Sequence, residues 1–71
     1  MNEGTVTRYS DDKGFGFIQE DDGGEVYFDR EAVDEEGYIT LVGGDRVQFE
    51  VTKTPRGLEA KHVMKIQPSD N

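Results

Sequence analysis

The sequence predicts an all-β domain, a small closed barrel of five antiparallel strands. Short runs rich in β-branched and aromatic residues recur along the chain and are separated by Gly, Asp and Pro. A chain of 71 residues forms one small domain, and a domain of this size buries only about 60% of the surface that its unfolded chain exposes. Nine glycines favour strands and tight turns, and the lack of cysteine excludes disulfides and thiolate metal sites.

The first three strands are predicted in the N-terminal half of the chain. Residues from Gly4 to Tyr9 favour extended backbone, and the run ends at the turn cluster Ser10-Asp11-Asp12. The second strand runs from Gly14 to Glu20. Asp21-Asp22-Gly23-Gly24 then predicts a hairpin, because glycine adopts the positive φ that tight connections need. The third strand is Glu25 to Asp29, antiparallel to the second.

The C-terminal half supplies the last two strands. Residues 30–33 are predicted to form a short helical turn, followed by a long loop that ends at Gly43-Gly44. Arg46 to Thr52 alternates between apolar and polar residues, which is typical of a half-buried strand. Thr54-Pro55-Arg56-Gly57 predicts a turn, and the fifth strand runs from Leu58 to Ile66.

The predicted core lies on the inner faces of these strands. In the fifth strand we expect both Ala60 and Val63 to face inward, which strict alternation forbids and a β-bulge allows. The other expected core residues are Ile18, Val26, Phe28, Val47, Phe49 and Val51. Five short strands without an amphipathic helix favour an OB-fold barrel over residues 1–67, with an SH3-like barrel as the alternative, and residues 68–71 form a polar tail.

Aromatic residues on the second and third strands predict a binding face. Phe15 and Phe17 point to one side of the second strand, and Tyr27 on the third strand lies across from them. Three rings on one face can stack against the bases of a nucleic acid. Gly14 and Gly16 are interpreted as leaving room for a flat ligand beside the rings.

The overall charge opposes nucleic-acid binding, so the interpretation depends on local charge. Sixteen Asp and Glu against eight Lys and Arg give −8, whereas most nucleic-acid binders are basic. Most of the acids lie in predicted turns, where they favour solubility or adaptation to high salt. Four cations instead fall near the aromatic segments: Arg8, Lys13, Arg30 and Arg56.

Other functional classes find less support in the residues. No nucleophile, base and orienting group can be assembled, so an enzyme is not expected, and His62 has no second His or Cys with which to bind a metal. The aromatic face could instead bind a partner protein. No apolar run is long enough to cross a bilayer, and the polar start Met1-Asn2-Glu3 is unlike a signal peptide, so we expect a cytoplasmic protein.

These motifs resemble those of the bacterial cold-shock domain family over nearly the whole chain. Lys13-Gly14-Phe15-Gly16-Phe17-Ile18 matches the first nucleic-acid-binding motif of the family in full, and Val26-Tyr27-Phe28-Asp29-Arg30 matches the second in part. The resemblance implies a five-stranded barrel that binds single-stranded RNA and DNA with little sequence preference and acts as an RNA chaperone. We expect a monomer without cofactors or metals. The candidate binding residues are Arg8, Lys13, Phe15, Phe17, Tyr27, Arg30, Tyr38 and Arg56.

The chain departs from the family pattern at three positions of the binding face. Arg8 and Arg30 stand where the family usually has aromatic rings, and a guanidinium plane can stack on a base and also attract phosphate. Asp29 stands where a histidine is usual. Its carboxylate is expected to repel phosphate, to pair with a neighbour of Arg30, or to accept a hydrogen bond from a base amino group. Tyr38, on the long loop, either extends the aromatic surface or packs within the loop.

Overall fold

Five strands and one 3₁₀ turn form a closed barrel in the computed structural model, which describes residues 1–34 and 41–66. The order around the barrel is β1, β2, β3, β5, β4. The predicted five-stranded, all-β barrel is confirmed, and β1 is longer than expected at both ends. The elements are β1 (Asn2–Ser10), β2 (Phe15–Glu20), β3 (Glu25–Asp29), the 3₁₀ turn (Arg30–Ala32), β4 (Arg46–Thr54) and β5 (Gly57–Lys65).

One strand pair is parallel, which corrects the prediction of a wholly antiparallel barrel. β3 and β5 run in the same direction and pair where Tyr27 lies opposite Glu59, whereas the other four pairs are antiparallel. The reason is geometric. Strand direction cannot alternate all the way around a ring with an odd number of strands, so closing a five-stranded barrel requires at least one parallel pair.

The core fills the inside of the barrel with apolar side chains from every strand. Most of the predicted core is confirmed, and Val51 is only partly buried, although it packs against the core. Phe28 and Phe49 are the largest fully buried side chains. The buried hydrophobic residues are Val6, Ile18, Val26, Phe28, Ala32, Leu41, Val47, Phe49, Ala60 and Val63.

The predicted bulge in β5 is present and explains why two residues three apart both face inward. Gln48 of β4 lies opposite Met64, but Glu50 lies opposite Lys61, so β5 contains one residue more than β4 over this stretch. Within it, His62 has a φ of 54°, in the left-handed region. The extra residue restores the inward orientation, so that Ala60 and Val63 are both almost fully buried.

A second bulge, in β1, was not predicted, and it shapes the outer surface. Val6 lies opposite Ile18, but Arg8 lies opposite Phe17, so β1 has one additional residue between these pairs. After the bulge the alternation is reversed: residues that strict alternation would place outside the barrel face inward, and those that it would place inside face outward. Tyr9 turns inward and stacks on Phe28 with ring centroids 5.5 Å apart, whereas Arg8 turns outward.

The two glycines of the aromatic motif have structural functions, and the interpretation that they make room for a ligand is wrong for Gly16, because a Cβ there would point into the core. Gly16 is buried, and a Cβ added there would lie 2.9 Å from the Phe28 ring and 2.5 Å from the carbonyl oxygen of Arg8. Gly14 has a φ of 80° in the turn between β1 and β2. Its amide donates a 2.7 Å hydrogen bond to the carbonyl of Ser10, which closes this turn.

Candidate nucleic-acid interface

Phe15, Phe17 and Tyr27 form a compact group of rings on the outside of the barrel, here called the aromatic platform. Phe15 and Tyr27 are roughly parallel, with centroids 5.8 Å apart. Phe17 lies edge-on to both, at 6.1 Å from Phe15 and 5.9 Å from Tyr27. All three side chains are partly exposed. The platform therefore presents aromatic surface to solvent, as the sequence predicted.

The pairing of β2 with β3 holds these rings together. Phe17 lies directly opposite Tyr27 in the ladder, and Phe15 is one full repeat further along β2 on the same face. The residues between them, Gly16 and Phe28, also lie opposite each other but face the core. Because the opposite face is fixed by core packing, the register that exposes the platform cannot slip by one residue.

Arg8 extends the platform with a cation. The bulge in β1 turns its side chain outward, and the guanidinium carbon lies 5.7 Å from the centroid of the Phe17 ring. This distance is typical of a cation–π contact. The arrangement combines a flat guanidinium plane, which can stack on a base, with a positive charge that attracts phosphate.

Lys13 lies at one border of the platform, in a shallow groove of about 330 Å³ beside Phe15. The turn that carries it is held by a 3.1 Å hydrogen bond from the Lys13 amide to the Ser10 hydroxyl. Arg8 and Tyr9 line the same groove. A phosphate of a strand that crosses the platform could therefore reach two cations here.

Arg56 lies at the opposite border, in a depression of about 190 Å³ that it shares with Tyr27, Leu58 and Glu59. Leu58 is 48% exposed, a large fraction for an apolar side chain, and its position extends the apolar surface beyond Tyr27. The sequence predicts only that Leu58 lies in the fifth strand. Its exposure could have been inferred from its position directly after a turn, where the side chains of β5 do not yet pack against the core.

The Arg30 side chain contacts the turn between β1 and β2, whereas the sequence predicted that it offers a stacking plane. Its guanidinium donates a hydrogen bond to the carbonyl of Asp11 and lies 3.7 Å from the Asp11 carboxylate. Its amide also donates a 2.8 Å hydrogen bond to the carbonyl of Gly14. Arg30 thus holds the turn that carries Lys13. Tyr38, the remaining candidate, lies outside the described residues.

Asp29 places a carboxylate on the platform face, opposite Phe15 in the β2–β3 ladder. The hydroxyl of Tyr27 donates a 2.8 Å hydrogen bond to its Oδ1 atom. This hydrogen bond, which the phenolate could not make, is the main reason why the pKa of Tyr27 is raised above its ordinary value. Tyr27 and Asp29 therefore form an oriented pair at the platform.

The cations divide into those held by acids and those available to a ligand. Four form ion pairs: Arg30, Arg46, Lys61 and Lys65. The most complete pair joins Arg46 to both carboxylate oxygens of Asp21 at 2.8 Å, and this contact lowers the pKa of Asp21. No ion pair with an acid in residues 1–34 or 41–66 is formed by the other four, Arg8, Lys13, Lys53 and Arg56.

Three of these four cations lie beside a ring of the platform. Arg8 contacts Phe17, Lys13 borders Phe15, and Arg56 borders Tyr27. A strongly acidic protein thereby keeps, next to its exposed rings, most of the positive charge that is unpaired within residues 1–34 and 41–66. This arrangement suits a ligand that carries both flat bases and phosphates.

Residues 1–34 and 41–66 contain no group of three or more His, Cys, Asp or Glu side chains that could hold a metal ion. Within the same residues, no helix has the length and apolar character needed to cross a membrane.

Known proteins with similar sequences and folds point in the same direction as the geometry. The chain is 48% identical to the cold shock-like protein CspA of Stigmatella aurantiaca, over 93% of this chain and 98% of the relative. It is 44% identical to CspA of Shewanella violacea, over 92% and 94% of the two chains. The solved structure of Drosophila Unr CSD456 superposes with a TM-score of 0.79 at 21% identity, covering 99% of this chain and 28% of the other, and shows the shared fold.

The family assignment rests on a match along almost the whole chain. The model of the "Cold-shock" DNA-binding domain matches residues 2–66, which include every strand and all three rings of the platform. The resemblance noted in the motifs is thereby confirmed. This protein belongs to the cold-shock DNA-binding domain family, a family of nucleic-acid-binding proteins.

Proposed function

We propose that this protein binds single-stranded RNA and DNA and acts as an RNA chaperone with little overall sequence preference. The observation that carries the proposal is the aromatic platform, whose three partly exposed rings each border a cation that has no ion pair in the described part of the chain. Stacking requires bases whose faces are free. A duplex does not offer them, so the platform favours single strands.

The free energy of base stacking supports reversible binding of a single strand. One base stacked on one aromatic side chain contributes about 1 to 3 kcal/mol. Three rings could therefore contribute roughly 3 to 9 kcal/mol, from which the cost of ordering the strand is subtracted. The result is micromolar rather than picomolar binding. A chaperone needs such a grip, because it must capture unpaired bases and then release the strand to refold.

The binding mode assigns a role to each candidate residue that the structure describes. Phe15, Phe17 and Tyr27 stack on bases, Arg8 stacks or contacts phosphate, and Lys13 and Arg56 contact phosphates at the two borders. Arg30 acts indirectly, by holding the turn that carries Lys13. We further propose that the protein works as a monomer in the cytoplasm, where it meets RNA, because one copy carries a complete platform.

Binding is tested by titrating the protein with a single-stranded heptathymidine and a heptauridine while tyrosine fluorescence is recorded. The chain has three tyrosines and no tryptophan, so stacking on Tyr27 should quench the emission directly. Replacing Phe17 by Ala should lower the affinity at least about fivefold, the low end expected for one lost stack. Phe17→Tyr, which keeps a ring, is the matched control and should retain the affinity.

The fold of each variant is checked by its melting temperature. Phe17 is only partly buried, so Phe17→Ala should melt as a cooperative unit. Wild-type affinity in a folded Phe17→Ala protein would show that the platform is not the binding surface.

The chaperone activity needs a separate measurement. An RNA hairpin that carries a fluorophore and a quencher at its ends should open when the wild-type protein is added, and should close again when the protein is digested with a protease. Phe17→Ala should open it much less. A wild-type protein that binds the single strand but leaves the hairpin closed would limit the function to binding.

A further inference from the structure

Asp29 presents a carboxylate on the same face of the barrel as the aromatic platform. It faces outward opposite Phe15, is partly buried, and receives the 2.8 Å hydrogen bond from the Tyr27 hydroxyl at Oδ1. A carboxylate on a face that binds a polyanion raises the energy of every nearby phosphate. We therefore expect the bases of a bound strand, rather than its phosphates, to contact Asp29.

The local structure does not use this carboxylate in the usual ways. Asp29 occupies the N-cap position of the 3₁₀ turn, where an aspartate side chain commonly accepts a backbone N–H, but it makes no such hydrogen bond. Among residues 1–34 and 41–66 it also forms no ion pair. Its Oδ2 atom is thus left to accept a hydrogen bond from a ligand.

The hydroxyl of Tyr27 orients this acceptor without exhausting it. A carboxylate has two oxygens with about four lone-pair positions, and Tyr27 occupies one of them. The same hydrogen bond links the carboxylate to a ring of the platform. A base stacked on that ring brings its edge towards a carboxylate whose direction is already fixed.

The edges of the bases differ in what they offer to a carboxylate. Guanine presents two neighbouring donors on its Watson–Crick edge, N1–H and the N2 amino group, which match the two oxygens of a carboxylate. Cytosine and adenine present one amino group next to a ring nitrogen that accepts, and uracil and thymine present one N–H between two carbonyls. In a single strand these edges are free to be read.

We propose that Asp29 is a specificity-determining residue, whose carboxylate selects guanine at the base position that stacks beside Tyr27. The inference rests on the proposed binding of single strands and adds a preference at one position of the bound strand. The other positions stack without a base-specific contact. The protein thus reads one base in an otherwise unspecific strand.

The test compares heptathymidines that carry one guanine, moved through each position in turn, by competition against the fluorescence-detected binding of plain heptathymidine. At one position guanine should raise the affinity of the wild-type protein about fivefold or more, which is at the low end for a bidentate base contact. Inosine at that position should lose most of the gain, because it keeps N1–H and lacks the N2 amino group. A 7-deazaguanine, which keeps both donors, should retain it.

Variants assign the preference to the carboxylate. Asp29→Asn should reduce the guanine preference to about twofold or less, while plain heptathymidine binds as well as before or better, since a negative charge is removed. Glu59→Gln is the matched control, because Glu59 also lies beside Tyr27 but is not bonded to its hydroxyl. It should strengthen binding of all heptamers equally and leave the preference intact.

The outcomes separate this inference from the proposed function. Equal affinities for guanine and thymine at every position, or a preference that survives Asp29→Asn, would overturn the role of Asp29 and leave single-strand binding standing. A wild-type protein that binds none of the heptamers would overturn both. Loss of the preference in Asp29→Asn together with retained binding of heptathymidine supports the inference.

Discussion

Tyr27 combines two kinds of chemistry at a single position of the platform. Its ring lies roughly parallel to Phe15 at 5.8 Å, and its hydroxyl donates to the Asp29 carboxylate at 2.8 Å. The first contact provides a surface for stacking, and the second fixes the direction of a hydrogen-bond acceptor. A phenylalanine here would keep the surface and lose the orientation.

The pKa of Tyr27 reports this hydrogen bond directly. Replacing Asp29 by Asn removes the main cause of the raised pKa, so the pKa of Tyr27 should fall towards the ordinary value of 10.0. Absorbance at 295 nm during a pH titration measures this pKa. The titration step that is missing in the Tyr27→Phe protein is the step that belongs to Tyr27. Tyr9, whose pKa is raised mainly by burial, should not respond.

The sign of the accompanying stability change is also fixed. Folded Tyr27 keeps its proton to a higher pH than unfolded Tyr27, so above about pH 10 the folded state binds more protons and its stability falls as the pH rises. Asp29→Asn should weaken this fall. An unchanged tyrosine titration in Asp29→Asn would show that the hydrogen bond does not persist in solution.

At this scale the sequence predicts exposed side chains better than their partners. Phe15, Phe17 and Tyr27 follow from alternation and one hairpin, both of which are local patterns. The contact of Arg30 with Asp11 could not be predicted in this way. It depends on the backbone path of the turn between β1 and β2, which brings residues 19 positions apart into contact.

At the scale of elements, two bulges decide which side chains face outward. The bulge in β5 lets Ala60 and Val63 share the core, and the bulge in β1 turns Arg8 onto Phe17. The first was predictable, because the spacing of two apolar residues contradicts strict alternation. The second was not, because Arg8 and Tyr9 are both compatible with either face of a strand at the end of a barrel.

The bulge in β5 can be tested through the backbone of His62. Its φ of 54° suits Gly, Asn or Asp and is unfavourable for β-branched residues. His62→Val should therefore lower the free energy of unfolding by about 1 to 2 kcal/mol relative to His62→Asn. Urea denaturation of both variants measures the difference.

The choice of control isolates the backbone effect. His62 is exposed, so neither substitution creates a cavity, and both remove the 3.5 Å contact between its Nδ1 atom and Asp34. At this exposed position, the preference for a positive φ is the main difference between Val and Asn for the backbone. Equal stability of the two variants would mean that β5 does not need a left-handed backbone conformation at position 62.

At the scale of the whole molecule, the distribution of charge matters more than its sum. The chain carries −8, yet the cations beside the platform are unpaired among the described residues, while Arg46 and Lys65 are held by acids elsewhere. The sequence indicates that acids and rings are separated, because most acids fall in turns. It does not indicate which cations are held by acids, since most of these ion pairs join residues far apart in the chain, such as Arg46 and Asp21.

This distribution predicts a weak dependence of binding on salt. Each phosphate contact to a single strand contributes a slope of about −0.7 to a plot of log affinity against log salt concentration, so contacts from Arg8, Lys13 and Arg56 together give about −2. General repulsion between the acidic protein and the strand is relieved by salt, which flattens the slope further. We therefore expect a measured slope between about −2 and 0, obtained by titrating heptathymidine at several NaCl concentrations.

Two charge-matched variants separate local contact from net charge. Arg56→Gln should make the slope shallower by about 0.7, because one phosphate contact is lost. Lys65→Gln also removes one positive charge, but Lys65 is paired with Asp45 at 3.3 Å and lies six residues beyond Glu59 on β5, roughly 20 Å along the strand. It should weaken binding slightly at low salt and leave the number of phosphate contacts unchanged. If both variants altered the slope equally, binding would follow the net charge of the protein, and the cations beside the platform would have no particular part in holding the strand.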